Sequence, residues 1–205
     1  MIRAIAATST VAMIALMGGI WYVSQDASDD QFAQCRSSTV AGGAGAIGGP
    51  FELVREDGVT VTDAEVITDP TLLYFGYTFC PDVCPLDASR NAEAVELLEE
   101  RGIMSTPVMI TIDPERDTPE VLAEFTDYLH PRMIGLTGTD EQVKAASKAY
   151  KTYYKRQPSE DEFYLVDHST FTYLVLPETG FVEYFRRETT PEQMADTVAC
   201  YVTHS

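Results

Sequence analysis

The chain has 205 residues, 45% of them hydrophobic, and a formal net charge of -18, because 32 acidic residues outnumber 14 basic ones. This length fits one domain with an appendage. The acidic excess disfavours a nucleic-acid partner and is explained most simply by solubility.

The first segment of the chain is apolar and uncharged. Residues 4–23 contain no charged side chain, and at about 1.5 Å per residue a helix of that length spans roughly 30 Å, one bilayer core. Arg3 precedes the run and three aspartates follow it, a bias that keeps the N-terminus in the cytoplasm. Residues 1–23 are therefore predicted to form an uncleaved, single-pass anchor in the inner membrane, with a cleaved signal peptide as the alternative. The remainder is then predicted to lie in the periplasm, where disulfides persist.

A linker and a hairpin come next. Residues 24–50 are predicted to be a flexible linker, because the stretch SSTVAGGAGAIGGP is rich in glycine and alanine. FELVREDGVTVTD, from Phe51, predicts a β-hairpin with Asp57 and Gly58 at its turn. Residues 51–205 are assigned to one folded domain.

Strands and helices alternate from Thr71 onward. TLLYFGY and TPVMITI are continuous apolar runs, typical of strands buried on both faces. MIGL, FYLVD, FTYLVL and FVEYF are further predicted strands. One helix is predicted from Pro85 to Gly102, and three more begin at threonine capping signals, namely Thr118 to about Leu129, Thr139 to about Tyr154, and Thr190 onward. This order predicts an α/β, thioredoxin-like fold with an N-terminal β-hairpin.

The loop FCPDVCP holds two of the four cysteines. Cys80 and Cys84 each precede a proline, and a residue before proline avoids the α conformation. Both are therefore predicted to lie outside the helix, with Pro85 at its first position and the helix N-terminus favouring thiolate. A disulfide closing so short a loop stabilises little. The pair thus favours redox exchange or metal binding, and its three-residue spacing, wider than C-x-x-C, favours a metal ion.

Four motifs together resemble the Sco/SenC family. They are CPDVC, TIDPERDTPE, GLTGTDEQV and YLVDHSTFTYLV, in the family's order, and the resemblance runs from about Phe51 to the C-terminus. Members of that family are membrane-anchored, thioredoxin-fold copper proteins required for the binuclear copper site of cytochrome c oxidase subunit II. The resemblance implies copper ligation by Cys80, Cys84 and His168.

The chemistry of these three residues agrees with that expectation. Thiolates select the soft ion Cu(I), and imidazole suits either oxidation state of copper, so Cu(I) is the expected metal and Cu(II) a second state. The expected function is a metallochaperone that is not an enzyme, with subunit II of the oxidase as recipient. A thiol–disulfide oxidoreductase that reduces the cysteines of that recipient is the alternative. Another periplasmic copper chaperone or a thiol reductant is a further expected partner.

Two aspartates are candidates for supporting the metal ligands. Asp167 is placed to accept the second ring N–H of His168. Asp113 follows a buried strand and either approaches the metal or starts an ordinary Asp-Pro turn. Of the other histidines, His130 is expected to cap a helix and His204 to be exposed near the C-terminus.

Cys35 and Cys200 are the remaining cysteines, and they flank the predicted domain. Four cysteines allow three pairings, and a bond from either outer cysteine to the loop would destroy the metal site. A Cys35–Cys200 disulfide is therefore predicted, with Cys80 and Cys84 left able to cycle between dithiol, disulfide and metal-bound forms.

Overall fold

In a computed structural model of the chain, the described residues are 13, 15–19, 31–38, 40, 43–159 and 163–205. The predicted anchor over residues 1–23 lies largely outside this set. Within the described residues, no helix combines the length and apolar character that crossing a membrane requires.

From residue 43 onward, the described residues contain nine strands and five α-helices, preceded by a short 3-10 helix at Ala44–Ala46. The strands are β1 (Glu52–Arg55), β2 (Thr60–Thr62), β3 (Thr71–Gly76), β4 (Thr106–Thr111), β5 (Ile134–Thr137), β6 (Tyr154–Arg156), β7 (Val166–His168), β8 (Thr172–Leu176) and β9 (Gly180–Phe185). The helices are α1 (Asp63–Val66), α2 (Val83–Glu100), α3 (Pro119–Leu129), α4 (Asp140–Ala149) and α5 (Pro191–Thr203).

Seven strands form one mixed sheet in the order β2-β1-β5-β4-β3-β8-β9, and β6 pairs with β7 in a separate ribbon. Strands β3, β4 and β5 are parallel neighbours, while the other pairs are antiparallel. The predicted α/β class and the N-terminal hairpin β1–β2 are confirmed.

The central strand β3 is buried along its whole length. Because side chains alternate between the two faces of a strand, Leu72 and Leu73 contribute to different cores. On the Leu72 side the core includes Val95 and Leu98 of α2 and Met194 and Val198 of α5. On the Leu73 side it includes Phe75, Val143, Ala146 and Tyr150. Helices on both faces thus explain why β3 reads as an unbroken apolar run.

Three helices begin as their capping signals predict. Thr118, Thr139 and Thr190 are the N-caps of α3, α4 and α5, and each hydroxyl accepts a backbone N–H from the third residue after it.

Helix α4 ends five residues before the predicted Tyr154. Lys151 adopts a left-handed conformation with φ of 55°. The N–H of Lys151 donates to the Lys148 carbonyl at 3.2 Å, and the N–H of Thr152 donates to the Ser147 carbonyl at 3.0 Å. These are the two bonds of a Schellman ending. Glycine usually occupies that left-handed position, and a lysine there leaves no stop signal in the sequence.

The segment just after Gln31, predicted to be flexible linker, lies against the folded domain. The buried Phe32 ring lies 5.0 Å from the ring of Tyr201 in α5. Ser37 and Ser38 donate backbone and hydroxyl hydrogen bonds to the Glu183 carboxylate of β9. Residues 31–38 are therefore part of the fold.

The strand order also determines where the metal-binding motifs meet. The cysteine loop follows the end of β3, and β8 runs antiparallel to β3 with Tyr74 opposite Thr172. The residues just before β8 therefore lie beside the residues just after β3. His168 precedes Thr172 by four residues, so the topology carries it to the cysteine loop.

Candidate metal centre

Helix α2 begins earlier than predicted. Its N-cap is Asp82 and its first residue Val83, so Cys84 lies within the first turn and Pro85 is the third helical residue. The prediction that Cys84 lies outside the helix is wrong. Proline is tolerated here because the first backbone N–H groups of a helix have no intrahelical partner to lose.

The helix N-terminus acts on Cys80 more than on Cys84. The backbone N–H of Cys84 donates to the Cys80 sulfur at 3.3 Å. A hydrogen bond from the Cys84 thiol, with backbone N–H groups of residues 82–84, lowers the pKa of Cys80 against the opposing effect of burial. The same sulfur–sulfur interaction and burial raise the pKa of Cys84. The thiolate that the helix favours is Cys80, although the sequence pointed to Cys84.

His168 completes a group of three potential ligands. Its Nε2 lies 3.4 Å from the sulfur of Cys84, and the donor atoms of Cys80, Cys84 and His168 all lie within 4.8 Å of one another. Metal bonds of about 2.0–2.3 Å in a trigonal arrangement place donor atoms roughly 3.5–4 Å apart. The three side chains are thus close to the separation that one shared ion requires.

The orientation of His168 is set by a backbone carbonyl. Its Nδ1 donates to the Ser169 carbonyl at 2.8 Å, which leaves Nε2 directed at Cys84 as an acceptor or ligand. The prediction that Asp167 accepts this N–H is wrong, since Asp167 instead accepts from the Gln157 amide at 2.7 Å. Successive residues of β7 face opposite sides, and Asp167 is exposed where His168 is half-buried.

Two tyrosines enclose the histidine ring. The rings of Tyr77 and Tyr74 lie 5.8 and 6.3 Å from it, both edge-on. The Tyr77 hydroxyl accepts the backbone N–H of Val166 at 3.2 Å, so the residue after β3 is bonded to the strand that carries His168. Both tyrosines are buried, and they shield one side of the site from water.

Gly76 leaves the space that this arrangement needs. A Cβ at this position would lie 2.6 Å from the Tyr74 ring and 3.2 Å from the Cys84 sulfur. Only glycine fits at the end of β3 without moving the ligand.

Asp113 is connected to the histidine segment but is not one of the three clustered donors. Its carboxylate accepts the Tyr164 hydroxyl at 2.6 Å and forms an ion pair with Arg116. An approach of Asp113 to the metal therefore stays a prediction. The aspartate that reaches the cysteine loop is Asp117, which accepts the Thr78 hydroxyl at 2.6 Å and the Thr78 N–H at 3.1 Å. Sequence reasoning missed Asp117, although it belongs to the same TIDPERD motif.

Arg116 connects the two segments that carry the ligands. Its guanidinium carbon lies 3.6 Å from the ring centre of Tyr164, which precedes β7, and 4.8 Å from that of Phe79, the neighbour of Cys80. A guanidinium over aromatic faces is a favourable cation–π contact. Arg116, Tyr77 and Ser169 carry no sequence signal for this role, because their contacts depend on tertiary structure.

The remaining cysteines and histidines lie elsewhere. Cys35 and Cys200 form a disulfide with 5.6 Å between their Cα atoms, while Cys80 and Cys84 are free and buried. His130 is the C-cap of α3 and its Nδ1 accepts the Arg132 N–H at 3.1 Å. His204 is exposed at the end of α5, as expected.

Comparison with known proteins agrees with this site. The SCO1/SenC family model matches residues 40–203. Protein SenC of Rhodobacter capsulatus is 53% identical over 200 residues, covering 97% of this chain and 89% of that protein. The copper-bound structure of Arabidopsis thaliana ScoI aligns with a TM-score of 0.73 at 41% identity, covering 77% of this chain and 99% of that chain.

A more distant structure has the same fold. BsSco, described as a member of the Sco family of cytochrome c oxidase assembly proteins with a disulfide switch, aligns with a TM-score of 0.62 at 22% identity, covering 80% of this chain and 98% of that chain. These likenesses confirm the thioredoxin-like plan. Given the family match over most of the chain, this protein belongs to the SCO1/SenC family.

Proposed function

We propose that this protein is a metallochaperone that binds one Cu(I) ion through Cys80, Cys84 and His168 and delivers it to the binuclear copper site of cytochrome c oxidase subunit II. The observation that carries the proposal is the convergence of two free sulfurs and one imidazole nitrogen within 4.8 Å, on segments that follow β3 and precede β8, two neighbouring strands.

The donor set suits Cu(I) better than a structural zinc ion. Two thiolates and a neutral imidazole around a monovalent ion have a net charge of -1, and soft sulfur ligands select Cu(I). Structural zinc sites have four protein ligands, whereas the donor cluster in the described part of the chain has three members. A position left open on the metal suits transfer by ligand exchange.

The surroundings of the site support contact with a recipient protein. Phe79 and Leu86 on the cysteine side, and Leu165 on the histidine side, are exposed apolar residues. Such side chains next to a functional site favour a protein contact. The family resemblance supports subunit II as the recipient.

The proposed location is the periplasmic face of the inner membrane, with residues 1–23 as a single-pass anchor. The uncharged run and the charges that flank it support this topology. The Cys35–Cys200 disulfide also supports an oxidising compartment.

A second candidate function is thiol–disulfide exchange with the cysteines of the recipient. The observation that favours it is the unequal pair, in which the pKa of Cys80 is lowered and that of Cys84 raised. A thiolate at Cys80 would attack the recipient disulfide, and Cys84 would then resolve the mixed disulfide. Two electrons and two protons would pass to the recipient, leaving a Cys80–Cys84 disulfide.

Copper binding can be tested in full-length protein carrying Cys35→Ser and Cys200→Ser, so that only the loop thiols remain. Cu(I) is titrated anaerobically against a chromophoric Cu(I) chelator. We expect one equivalent to bind, either serine substitution in the loop to abolish binding, and His168→Ala to weaken it by at least ~10-fold, the loss that even an outer-shell change can cause.

His204→Ala is the matched histidine control in that background and should leave the affinity unchanged. Delivery of copper is then tested by mixing the copper-loaded protein with the copper domain of subunit II. The absorbance of the recipient's copper site reports the transfer. Unaltered Cu(I) affinity in His168→Ala would remove the histidine from the site. Reduction of the recipient without copper transfer would favour the exchange function.

A further inference from the structure

A second group of two sulfurs and one imidazole lies at the other end of the domain. The sulfurs of Cys35 and Cys200 and a ring nitrogen of His204 all lie within 4.8 Å of one another. His204 Nδ1 is 3.7 Å from the Cys35 sulfur and 3.9 Å from the Cys200 sulfur. The residue types are those of the candidate metal centre, but the two sulfurs are bonded to each other.

The two cysteines are held together by more than their covalent bond. Phe32 is buried in the same core as Val198 and Tyr201 of α5. The N–H of Cys35 donates to the Phe32 carbonyl at 2.9 Å, and the Ser37 N–H donates to the Glu183 carboxylate at 2.9 Å. These contacts do not involve either sulfur. Cleavage of the disulfide would therefore leave both thiols close to their present positions.

Cys200 and His204 are on one face of the same helix end. They are four residues apart, a spacing that places side chains one above the other. His204 caps α5, and its Nδ1 bonds to the Cys200 carbonyl at 2.8 Å. Its ring is exposed and Cys200 is half-buried, so a reductant and a metal ion can both approach from solvent, whereas Cys35 is buried behind them.

We propose that reduction of the Cys35–Cys200 disulfide by a dithiol reductant creates a second Cu(I) site, with Cys35, Cys200 and His204 as ligands. In the first step the reductant attacks the Cys200 sulfur, Cys35 leaves, and a second thiolate of the reductant resolves the mixed disulfide. Two electrons and two protons pass to the protein, and the reductant becomes a disulfide.

In the second step Cu(I) binds the two sulfurs, and their two protons are released to water. Two thiolates, one Cu(I) ion and a neutral imidazole give the complex a net charge of -1. The Nδ1 of His204 must first lose its hydrogen bond to the Cys200 carbonyl, and the ring proton then resides on Nε2. Three soft or borderline donors favour Cu(I) over Zn²⁺, which in structural sites takes four. In the oxidised protein the two sulfurs are bonded to each other and cannot act as thiolate ligands, whereas in the reduced protein they can.

The test uses full-length protein with Cys80→Ser and Cys84→Ser, so that the outer cysteines are the only thiol source. One sample keeps the disulfide, and the other is reduced anaerobically with dithiothreitol, which is then removed by gel filtration. Both are titrated with Cu(I) against a chromophoric chelator. We expect one equivalent to bind to the reduced sample and none to the oxidised one, with an X-ray absorption spectrum showing two sulfur ligands and one nitrogen ligand.

His204→Asn should weaken binding by at least ~10-fold, while His130→Asn, at a histidine outside both donor clusters, is the matched control and should have no effect. A second measurement excludes unfolding as the cause of any loss, because the circular dichroism spectra of the two samples should coincide. Absence of Cu(I) binding to folded, reduced protein would overturn the proposal, as would an unchanged affinity in His204→Asn. The proposal does not rest on the chaperone function, since the two tests use different thiol pairs and either can fail alone.

Discussion

Loss of the Cys35–Cys200 disulfide is expected to destabilise the domain substantially. The bond joins residues separated by 165 positions, and in the chain-entropy model closing a loop of that length stabilises the folded state by about 5 kcal/mol. The contacts of Phe32 and Ser37 do not involve either sulfur, so the loss is expected to come chiefly from the greater freedom of the unfolded chain. For a chain of this size, about 5 kcal/mol corresponds to a fall in Tm of roughly 10–20 °C.

The assay compares wild type with a Cys35→Ser/Cys200→Ser variant by urea denaturation followed by circular dichroism. The free energy of unfolding in water should fall. The m value, the dependence of that free energy on urea concentration, should rise because an unfolded chain without the cross-link exposes more surface. Wild type kept in reductant is the control and should match the variant, which separates loss of the bond from the effect of serine. A loss below about 1 kcal/mol would refute the reasoning, because the chain-entropy model would then not apply to this loop.

Two further predictions concern local features. In the Cys35→Ser/Cys200→Ser background, iodoacetamide should label Cys80 selectively, and because the pKa of Cys80 is lowered, its labelling rate should stay constant as the pH falls below the ordinary thiol range and drop only at the lowered pKa. Peptide mass spectrometry reports the rate, and equal labelling of the buried Cys84 would contradict the assignment. Lys151→Gly should raise the free energy of unfolding by about 1 kcal/mol, because it removes a side chain from the left-handed region. Lys148→Gly, within helix α4, is its matched control and should lower that energy by about 1 kcal/mol.

The sequence was most informative for features that depend on residues close to one another along the chain. The two cysteine–proline pairs indicated a functional loop, and the threonine capping signals located the starts of three helices, because a cap depends on residues within one turn. The end of α4 was not predictable in the same way, since Lys151 adopts a conformation that usually requires glycine.

Partners of the ligands were harder to predict than the ligands themselves. Asp167 is next to His168 in sequence but on the opposite face of β7, and only the strand register shows this. Asp113 and Asp117 share one motif, yet it is Asp117 that bonds to Thr78 in the cysteine loop. These assignments depend on which strands are neighbours, and the residue pattern alone does not contain that information.

Attachment of residues 31–38 to the domain shortens the segment left to link it to the proposed anchor. With the anchor ending at Val23 as predicted, nine peptide units separate it from the buried Phe32, and a fully extended chain of that length reaches roughly 30 Å. A linker free as far as Phe51 would reach roughly 95 Å. If residues 1–23 anchor the chain as proposed, the shorter reach would keep the domain close to the bilayer. Its effective concentration would then be higher towards a partner embedded in the same membrane and lower towards proteins in the bulk of the compartment.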